Sequence, residues 1–393
     1  MMWSTAQIAK TCLQTRMRDP RRNPDEPFFY VDISAIDRGL KVITSSPEIL
    51  GADAPSRARK EIRKGDILVS TVRPNLNAVA VVPPELDGHI ASTGFCVLRP
   101  NKATIVGKYL FYFTTTPNFV DILSGKVRGA HYPAVSDGDV KEIELPLPTI
   151  TEQHRIVEIL DQADALRKKR AEADAKGARI LPALFYKMFG DPAMNPRGFV
   201  KKRLGELIRV RSGNFLPAKN MDAAGHYPVY GGNGINGYHS EFMFKEPVIV
   251  LGRVGIYCGA VYYSEPNCWV TDNALYVAEQ SKDLHPRYLA EALRVANLNQ
   301  YAGRAGQPLI SGNRIYPIEI LVPPPEEQEK FANNIANLHK YEKCQKDAVE
   351  HIEKLFSILL HRAFTGELTA KWREAHMKEL LAEMEAQAKQ LNS

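Results

Sequence analysis

The feature of the sequence that most constrains the fold is an internal repeat with a constant shift, which carries Ile143 to Ile318. The stretch IELPLPTITEQ, which begins at Ile143, matches IEILVPPPEEQ, which begins at Ile318. The same repeat shift pairs Leu184 with Leu359, Phe189 with Phe364, and Ala130, Pro133 and Ser136 with Ala305, Pro308 and Ser311. A constant register over about sixty residues predicts a tandem duplication. Arg73 and Arg253 align only at a larger shift, which indicates loop insertions between the halves.

The sequence alternates between strand-forming and helix-forming regions. Short runs rich in Val, Ile and aromatic residues occupy 27–148 and 198–323 and predict strands. After each region a proline stop opens a helical stretch, and Thr149 with Glu152 predicts a capping box at the first. We therefore expect an α+β chain with two tandem β-rich domains. The expected segments are 1–148 and 191–323 for the β-domains, 149–190 and 324–366 for the helices, and 367–393 for a charged helical tail.

The second helical stretch shows two apolar seams with a spacing of seven residues, which is typical of a coiled coil. The first seam contains Phe331, Leu338, Ile352 and Leu359 with Gln345 as its polar exception, and the second contains Ile335, Val349, Phe356 and Ala363 with Glu342 as its interruption. The first stretch has a charged middle, and Gly177 and Pro182 predict a weak or kinked helix. Helices of roughly 40 residues would span about 60 Å. We expect the two to lie antiparallel as a pseudo-two-fold repeat; two unrelated core helices are the alternative.

Composition excludes several classes of protein. A hydrophobic content of 44% and a charged content of 24% are those of a globular protein. No apolar run approaches the ~20 residues that cross a bilayer, and no export signal is evident. The five cysteines are scattered without a C-x-x-C pair, which favours the reducing cytoplasm over a disulfide framework or a zinc site. The net charge of +6 permits a nucleic-acid partner without requiring one.

The stretch GGNGING contains the spacing G-x-G-x-x-G at Gly232, Gly234 and Gly237. A dinucleotide site needs a helix directly after this motif, whereas a strand-like residue pattern that includes Pro247 follows here. The stretch therefore predicts a tight turn. No Walker loop, no Asn/Asp-Pro-Pro-aromatic tetrapeptide and no paired-histidine motif occurs, so we expect no catalytic, cofactor-binding or metal site. The main hypothesis is a sequence-specific DNA-binding scaffold without catalytic activity. The alternatives are a self-contained DNA methyltransferase or nuclease and a structural coiled-coil adaptor.

Polar and aromatic side chains suited to reading DNA cluster in both β-regions. Arg with guanine, and Asn or Gln with adenine, are the favoured major-groove pairs. The candidate contacts are Arg73, Asn75, Asn77, Arg128, His131 and Tyr132 in the first region, and Asn233, Asn236, Tyr238, His239, Arg253, Tyr257, Arg304 and Gln307 in the second. Lys201, Lys202, Arg203, Arg209 and Arg211 are candidates for phosphate contacts.

The chain resembles the specificity (S) subunits of type I restriction–modification systems over nearly its whole length. The resemblance rests on IELPLPTITEQHRIVEILDQADAL, LPALFYKMFGDP, KKRLGELIRVRSGN, GGNGINGYHSEF, IVLGRVGIYCGAVYY and ILVPPPEEQEKF…LLHRAFTGEL. It implies two target-recognition domains that each read half of an asymmetric bipartite site in double-stranded DNA, with the helices setting the gap. It also implies two docked methyltransferase (M) subunits, restriction/motor (R) subunits joined through them, and no cofactor on the S subunit. The first β-domain departs from the pattern because it lacks a GNGING-type loop.

Overall fold

The structure, a computed structural model, describes residues 3–128, 133–222, 224–303 and 308–392. The chain forms two compact units. Unit 1 comprises Met1–Ala171 and Ala348–Ser393, and unit 2 comprises Glu172–Asp347. Unit 1 is therefore assembled from both ends of the chain, and unit 2 from its continuous middle.

From its first described residue to its first long helix, unit 1 consists of short strands and helices. The strands are β1 Ser4–Gln7, β2 Cys12–Leu13, β3 Pro27–Val31, β4 Ile36–Asp37, β5 Val42–Ile43, β6 Glu48–Leu50, β7 Ala58–Glu61, β8 Ile67–Ser70, β9 Val79–Val81, β10 Ile90–Ser92, β11 Phe95–Pro100 and β12 Glu144–Leu147. The helices are α1 Ile8–Thr11, α2 Gly107–Thr114, α3 Pro117–Gly125, α4 Asp137–Lys141 and the long α5 Ile150–Gly177, whose last residues belong to unit 2.

Unit 2 repeats this mixture of strands and helices. Its helices are α6 Ile180–Phe189, α7 Leu204–Leu207, α8 Pro286–Val295 and α9 Gly312–Ile315. Its strands are β13 Val200–Arg203, β14 Ile208–Ser212, β15 Tyr227–Gly231, β16 Gly234–His239, β17 Ile249–Gly252, β18 Val261–Tyr263, β19 Trp269–Val270, β20 Ala274–Gln280 and β21 Glu319–Val322. Helix α10, Pro325–Thr365, leaves unit 2 and ends in unit 1, where α11 Ala370–Ala375 and α12 Met377–Asn392 follow.

One four-stranded sheet has the same strand order in both units. Unit 1 contains the antiparallel order β2-β11-β8-β9, and unit 2 contains β14-β20-β17-β18. A second sheet holds one parallel pair in each unit, β3 with β10 and β15 with β19. The first and last strands of each β-domain also pair, with Ser4 opposite Leu147 and Val200 opposite Val322. The chain thus enters and leaves each β-domain through adjacent strands.

The long helices begin and break where the sequence predicts. Thr149 Oγ1 accepts a hydrogen bond from Glu152 N at 3.2 Å, so Thr149 caps the start of α5. The second half of the predicted capping box is wrong, because the Glu152 carboxylate binds other partners. Helix α5 ends at Gly177, and Pro182 lies in the first turn of α6, where its missing N–H is tolerated. Within the described part of the chain, no helix has the length and apolar character needed to cross a membrane.

The Glu152 carboxylate is buried and binds residues from both chain ends. Trp3 Nε1 donates to it at 3.0 Å, Thr369 Oγ1 at 2.6 Å and Arg373 Nε at 2.8 Å. The Arg373 guanidinium also lies 4.8 Å from the centre of the Trp3 ring. These contacts attach the segment after α10 to the start of α5. The carboxylate has three donors here, which outcompete the single backbone N–H of its own helix end.

Each β-domain packs on segments of the long helices. In unit 1, Tyr109 and Phe113 share a core with Ile156 of α5 and Leu360 of α10. In unit 2 an aromatic cluster joins Phe185, Phe189, Tyr288 and Phe331, with ring centroids 4.9–6.3 Å apart. Aromatic side chains bury large apolar areas, so these clusters fix the helices to their domains.

A buried glutamine one turn inside α5 connects this helix to the β-domain of unit 1. Gln153 Nε2 donates to Pro148 O at 2.9 Å and Thr104 O at 3.4 Å, and Gln153 Oε1 accepts from Val106 N at 2.8 Å. The tail residue Gln387 donates to the same two carbonyl oxygens, at 3.3 Å and 3.2 Å. The start of α5 is therefore covered by α12 as well as by the β-domain.

Gln328 makes the corresponding contacts in unit 2. Its Nε2 donates to Pro323 O at 2.8 Å and Asp283 O at 2.9 Å, and its Oε1 accepts from His285 N at 2.8 Å. Gln328 and Gln153 are related by the repeat shift found in the sequence. Among the described residues of unit 2, no further side chain donates to these two oxygens.

Candidate nucleic-acid interface

The GGNGING stretch forms the hairpin of β15 and β16. Gly231 pairs with Gly234, and the φ of Gly234 is +90°, a left-handed conformation that favours glycine. A strand follows the motif, so the predicted turn is confirmed. Asn233 and Asn236 are exposed in this hairpin.

The hairpin turn contacts the loop that follows β17. A side-chain carbon at Gly252 would lie 2.1 Å from Tyr257 O and 2.7 Å from Gly232 O, so only glycine fits between them. Val254, in the same loop, forms a bridge with Leu309. Three segments thus meet at one end of the sheets of unit 2, and this end is the candidate interface of that unit.

Arg253 lies in this loop with part of its guanidinium held in place. Arg253 Nη1 donates to Ser212 Oγ at 3.1 Å and to Asp272 O at 3.3 Å. Within the described ranges, its other guanidinium nitrogens have no hydrogen-bond partner. The side chain is half-buried, and the neighbouring Tyr257 is exposed. A positioned guanidinium with free donors suits bidentate contact with guanine.

Tyr238 and His239 lie at the opposite end of β16 from the turn. They pair with Pro228 and Tyr227, about 15 Å from Gly234 at the usual rise of a strand. The His239 ring packs edge-on against Trp269, with centroids 5.5 Å apart. The structure therefore does not bring these two residues together with Arg253.

In unit 1 the predicted residues Arg73, Asn75 and Asn77 lie on one loop after β8. Arg73 and Asn75 are exposed. Asn77 Nδ2 donates to Thr114 O at 3.2 Å, and Asn77 Oδ1 accepts from Lys41 Nζ at 3.1 Å. The structure thus gives the Asn77 amide partners within the protein and leaves Arg73 and Asn75 available.

Lys41 is a residue of this region that sequence reasoning missed. Its Nζ also donates to Asn77 O at 2.6 Å, so Lys41 holds the end of the Arg73 loop. Burial, followed by the charge of Arg167, lowers the pKa of Lys41 to about 8. Its φ is +56°, an unusual conformation for a lysine, and no sequence motif marks it.

The remaining candidates are Arg128, four residues outside the described ranges, and the candidate phosphate contacts. Arg128 is exposed, and its Nη2 lies 3.6 Å from the carboxylate of Asp139. His131, Tyr132, Arg304 and Gln307 lie outside the described residues. Several candidate phosphate contacts have partners within the chain: Lys202 with Asp283 at 3.1 Å, Arg211 with Glu279 at 3.1 Å, and Arg209 with the carbonyl oxygens of Gly205 and Ile208.

The loops after β8 and β17 share several backbone features. Positive φ angles occur at Arg73 (+49°) and Asn77 (+45°) in unit 1, and at Gly255 (+77°) and Gly259 (+88°) in unit 2. Ser70 N donates to Ala78 O at 2.9 Å, and Gly252 N donates to Ala260 O at 2.8 Å. One loop shift, which carries Ser70 to Gly252, relates all of these pairs and places Arg73 opposite Gly255. The alignment of Arg73 with Arg253 is therefore wrong, and backbone hydrogen bonds, rather than residue type, set the register of the loop.

Hairpins also occur at the same place in both second sheets. Strand β3 pairs with β6 as β15 pairs with β16, antiparallel and next to the parallel strand. Residues 32–47 separate β3 from β6, whereas β15 and β16 are joined by a tight turn. The first β-domain therefore lacks the GNGING-type turn because a longer segment, which includes Lys41, replaces it.

Comparison with known proteins decides the family. A family model described as the type I restriction modification DNA specificity domain matches residues 42–173 and residues 196–351. The chain belongs to this family. The resemblance to specificity subunits is confirmed, and DNA sequence specificity within a type I restriction–modification system is its function.

Relatives and solved structures agree with this family. The EcoprrI specificity subunit of Escherichia coli is 25% identical over 325 residues, which cover 78% of this chain and 78% of that protein. A solved chain described under complex assembly and conformational transition of the type I R-M system is 29% identical, has a TM-score of 0.57, and matches over 93% of this chain and 98% of its own. The S subunit of M. genitalium is 15% identical with a TM-score of 0.57, over 92% and 96% of the two chains, which shows the fold alone.

Proposed function

We propose that this specificity subunit reads a bipartite DNA site, with each β-domain binding one half and neither catalysing a reaction. The observation that carries the proposal is the shared backbone of the loops at Arg73 and Arg253. Loops that share backbone contacts but expose different side chains would let the two β-domains read two different sequences. The exposed candidates for base contact near these loops are Arg73, Asn75 and Arg128 in unit 1, and Asn233, Asn236 and Tyr257, with the half-buried Arg253, in unit 2. Tyr238 is also exposed but lies at the far end of β16.

The internal duplication supports this proposal. Beside the two buried glutamines, Tyr109 OH donates to Pro146 O at 2.8 Å, and Tyr288 OH donates to Leu321 O at 2.9 Å. Pro146 and Leu321 are related by the same repeat shift as the helix starts. We therefore also propose a pseudo-two-fold repeat with the segments 1–148, 149–190, 191–323, 324–366 and 367–393.

We also propose that α5–α6 and α10 form an antiparallel coiled coil that sets the gap between the half-sites. In unit 1, Arg167 binds Glu353, whereas Glu152, which precedes Arg167 in the chain, binds Arg373, which follows Glu353. This order of contacts is that of antiparallel segments. In unit 2, Asn334 lies 3.9 Å from the Met188 sulfur. The partners we propose are double-stranded DNA, two methyltransferase subunits and, through them, restriction/motor subunits.

Exchange of residues 198–323 for the matching domain of another specificity subunit tests the proposal. Methylome sequencing of cells that carry the exchanged chain is expected to show one changed half-site and one unchanged half-site. A change in both halves contradicts independent reading. Calorimetry of the isolated chain with S-adenosylmethionine is expected to show no binding; binding would favour a methyltransferase activity of its own.

A further inference from the structure

Ile256 is the most exposed large hydrophobic side chain among the described residues, at 84% of its full accessible surface. It lies in the loop after β17, between Arg253 and Tyr257. Single exposed apolar residues are common on protein surfaces, so exposure alone assigns no role. The structure of the loop supplies the rest of the argument.

The loop that carries Ile256 is held by several hydrogen bonds. Gly255 N donates to Pro308 O at 3.1 Å, Cys258 N donates to Gly255 O at 3.0 Å, and Asn299 Nδ2 donates to Cys258 O at 2.8 Å. A side-chain carbon at Gly259 would lie 2.4 Å from Asn299 N, so the loop also packs tightly. Ile256 is therefore presented to solvent on a fixed backbone.

Unit 1 shows that this loop does not need an exposed aliphatic residue. The loop shift that carries Ser70 to Gly252 places Pro74 at the position of Ile256, and Pro74 is buried. The two loops share their backbone contacts to the neighbouring segments, with Arg73 N and Gly255 N donating to Pro133 O and Pro308 O, so these contacts form without an exposed isoleucine in unit 1. A difference in side chain on a shared backbone is what different half-site sequences require.

We infer that Ile256 contacts the C5-methyl group of a thymine in the half-site read by unit 2. Thymine alone among the DNA bases presents a methyl group in the major groove, and apolar side chains recognise it by contact. The adjacent Arg253 and Asn233 offer the hydrogen-bond donors and acceptors that the neighbouring bases require. This inference rests on the proposed function, because it places the loop in the groove.

The test replaces each thymine of that half-site by uracil, which removes only the methyl group. The half-site is first identified by the domain exchange, and binding is measured with the full-length chain assembled with its methyltransferase subunits. We expect one uracil substitution to weaken binding by about four-fold, the effect of one buried methyl group. With Ile256→Ala, thymine and uracil duplexes are expected to bind equally. Ile256→Val is expected to retain part of the preference.

Met194→Ala is the matched control, because Met194 is 79% exposed in unit 2 and lies outside the loop. This variant is expected to keep the full preference for thymine. The inference is wrong if no uracil substitution weakens binding, if Ile256→Ala keeps the preference, or if Ile256→Ala prevents assembly with the methyltransferase instead. An exchange of 198–323 that leaves the motif unchanged refutes the proposed function; a changed half-site without a methyl effect refutes only the role of Ile256.

Discussion

Thr71 of unit 1 and Arg253 of unit 2 make the same two backbone hydrogen bonds. Thr71 N donates to Gly94 O, and Thr71 O accepts from Val135 N, both at 2.9 Å. Arg253 N donates to Asn273 O at 3.2 Å, and Arg253 O accepts from Ile310 N at 2.9 Å. At corresponding backbone positions, unit 1 therefore has the short hydroxyl side chain of Thr71 and unit 2 has the guanidinium of Arg253.

Arg253→Ala is expected to weaken binding to the target duplex by about 1–3 kcal/mol, because a positioned guanidinium that binds guanine is lost. Binding to a random duplex is expected to change much less. Fluorescence titration of both duplexes with the assembled methyltransferase measures the two losses. An equal loss on both duplexes would make Arg253 a phosphate contact.

Gln328→Leu is expected to destabilise unit 2 by about 2–4 kcal/mol, because two carbonyl oxygens and one amide are left buried without partners. Gln153→Leu is expected to cost less in unit 1, since Gln387 still donates to Thr104 O and Pro148 O. Hydrogen exchange of peptides from β20 and β11 reports the opening free energy of each unit. Equal losses would show that the tail contributes nothing at the start of α5.

Arg373→Ala is expected to destabilise unit 1 by about 3–5 kcal/mol, because it leaves the carboxylate of Glu152, which is 2% exposed, without its cation. The corresponding pair in unit 2, Arg197 with Glu327, is 45% and 25% exposed. Arg197→Ala is therefore expected to cost about 0–1 kcal/mol and serves as the control. Thermal unfolding measured by hydrogen exchange of peptides from each unit gives the stability losses of the two variants separately. Similar losses for both variants would contradict the difference in burial.

Lys41 gives unit 1 a stability that changes with pH. The folded-state pKa is about 8, below the ordinary value of 10.5. Between these values the unfolded chain binds a proton that the folded chain has released, so the free energy of unfolding rises with pH. Below about pH 8 both states are protonated and the slope disappears. Denaturant titrations of the protein and of Lys41→Met across this window are expected to differ in slope, and parallel curves would refute the assignment.

Insertion of seven residues after Ala171 and seven after Lys346 tests the role of the helices in setting the gap. Seven residues add about 10 Å and keep the seams in phase, whereas four would rotate them. The gap is expected to grow by roughly three base pairs at 3.4 Å per pair, with both half-sites unchanged. Reduced activity is also expected, because the added pairs rotate one half-site around the duplex. A methylome with the original gap at full occupancy would exclude this role.

Local signals in the sequence predicted the elements that local physics determines. Prolines and caps located the starts of α5 and α10, the Gly-Asn-Gly pattern located the turn of β15 and β16, and Gly177 with Pro182 located the break. These features depend on the conformational limits of the residues themselves. The sequence also contained the duplication, which made the arrangement of two β-domains predictable.

The contacts of individual side chains were not predictable in the same way. Glu152 binds Trp3 and Arg373, which lie far away in sequence, so its choice of partner depends on the folded chain. The sequence offers Asn77 as a base contact, but Lys41 and Thr114 bind its amide in the folded chain. The correct alignment of the two loops depends on their backbone hydrogen bonds, which place Arg73 opposite Gly255. Matching Arg73 with Arg253 by residue type gives a different shift.

The division of the chain between its units sets an order of folding during synthesis. All of unit 2 is continuous, from Glu172 to Asp347, while unit 1 also requires Ala348–Ser393. A ribosome that has completed unit 2 still has to translate the residues that supply Phe356, Leu360 and Arg373 to unit 1. The domain that is encoded first is consequently completed last, and until then the core residues of α5 lack the α10 side chains that share their core in the folded chain.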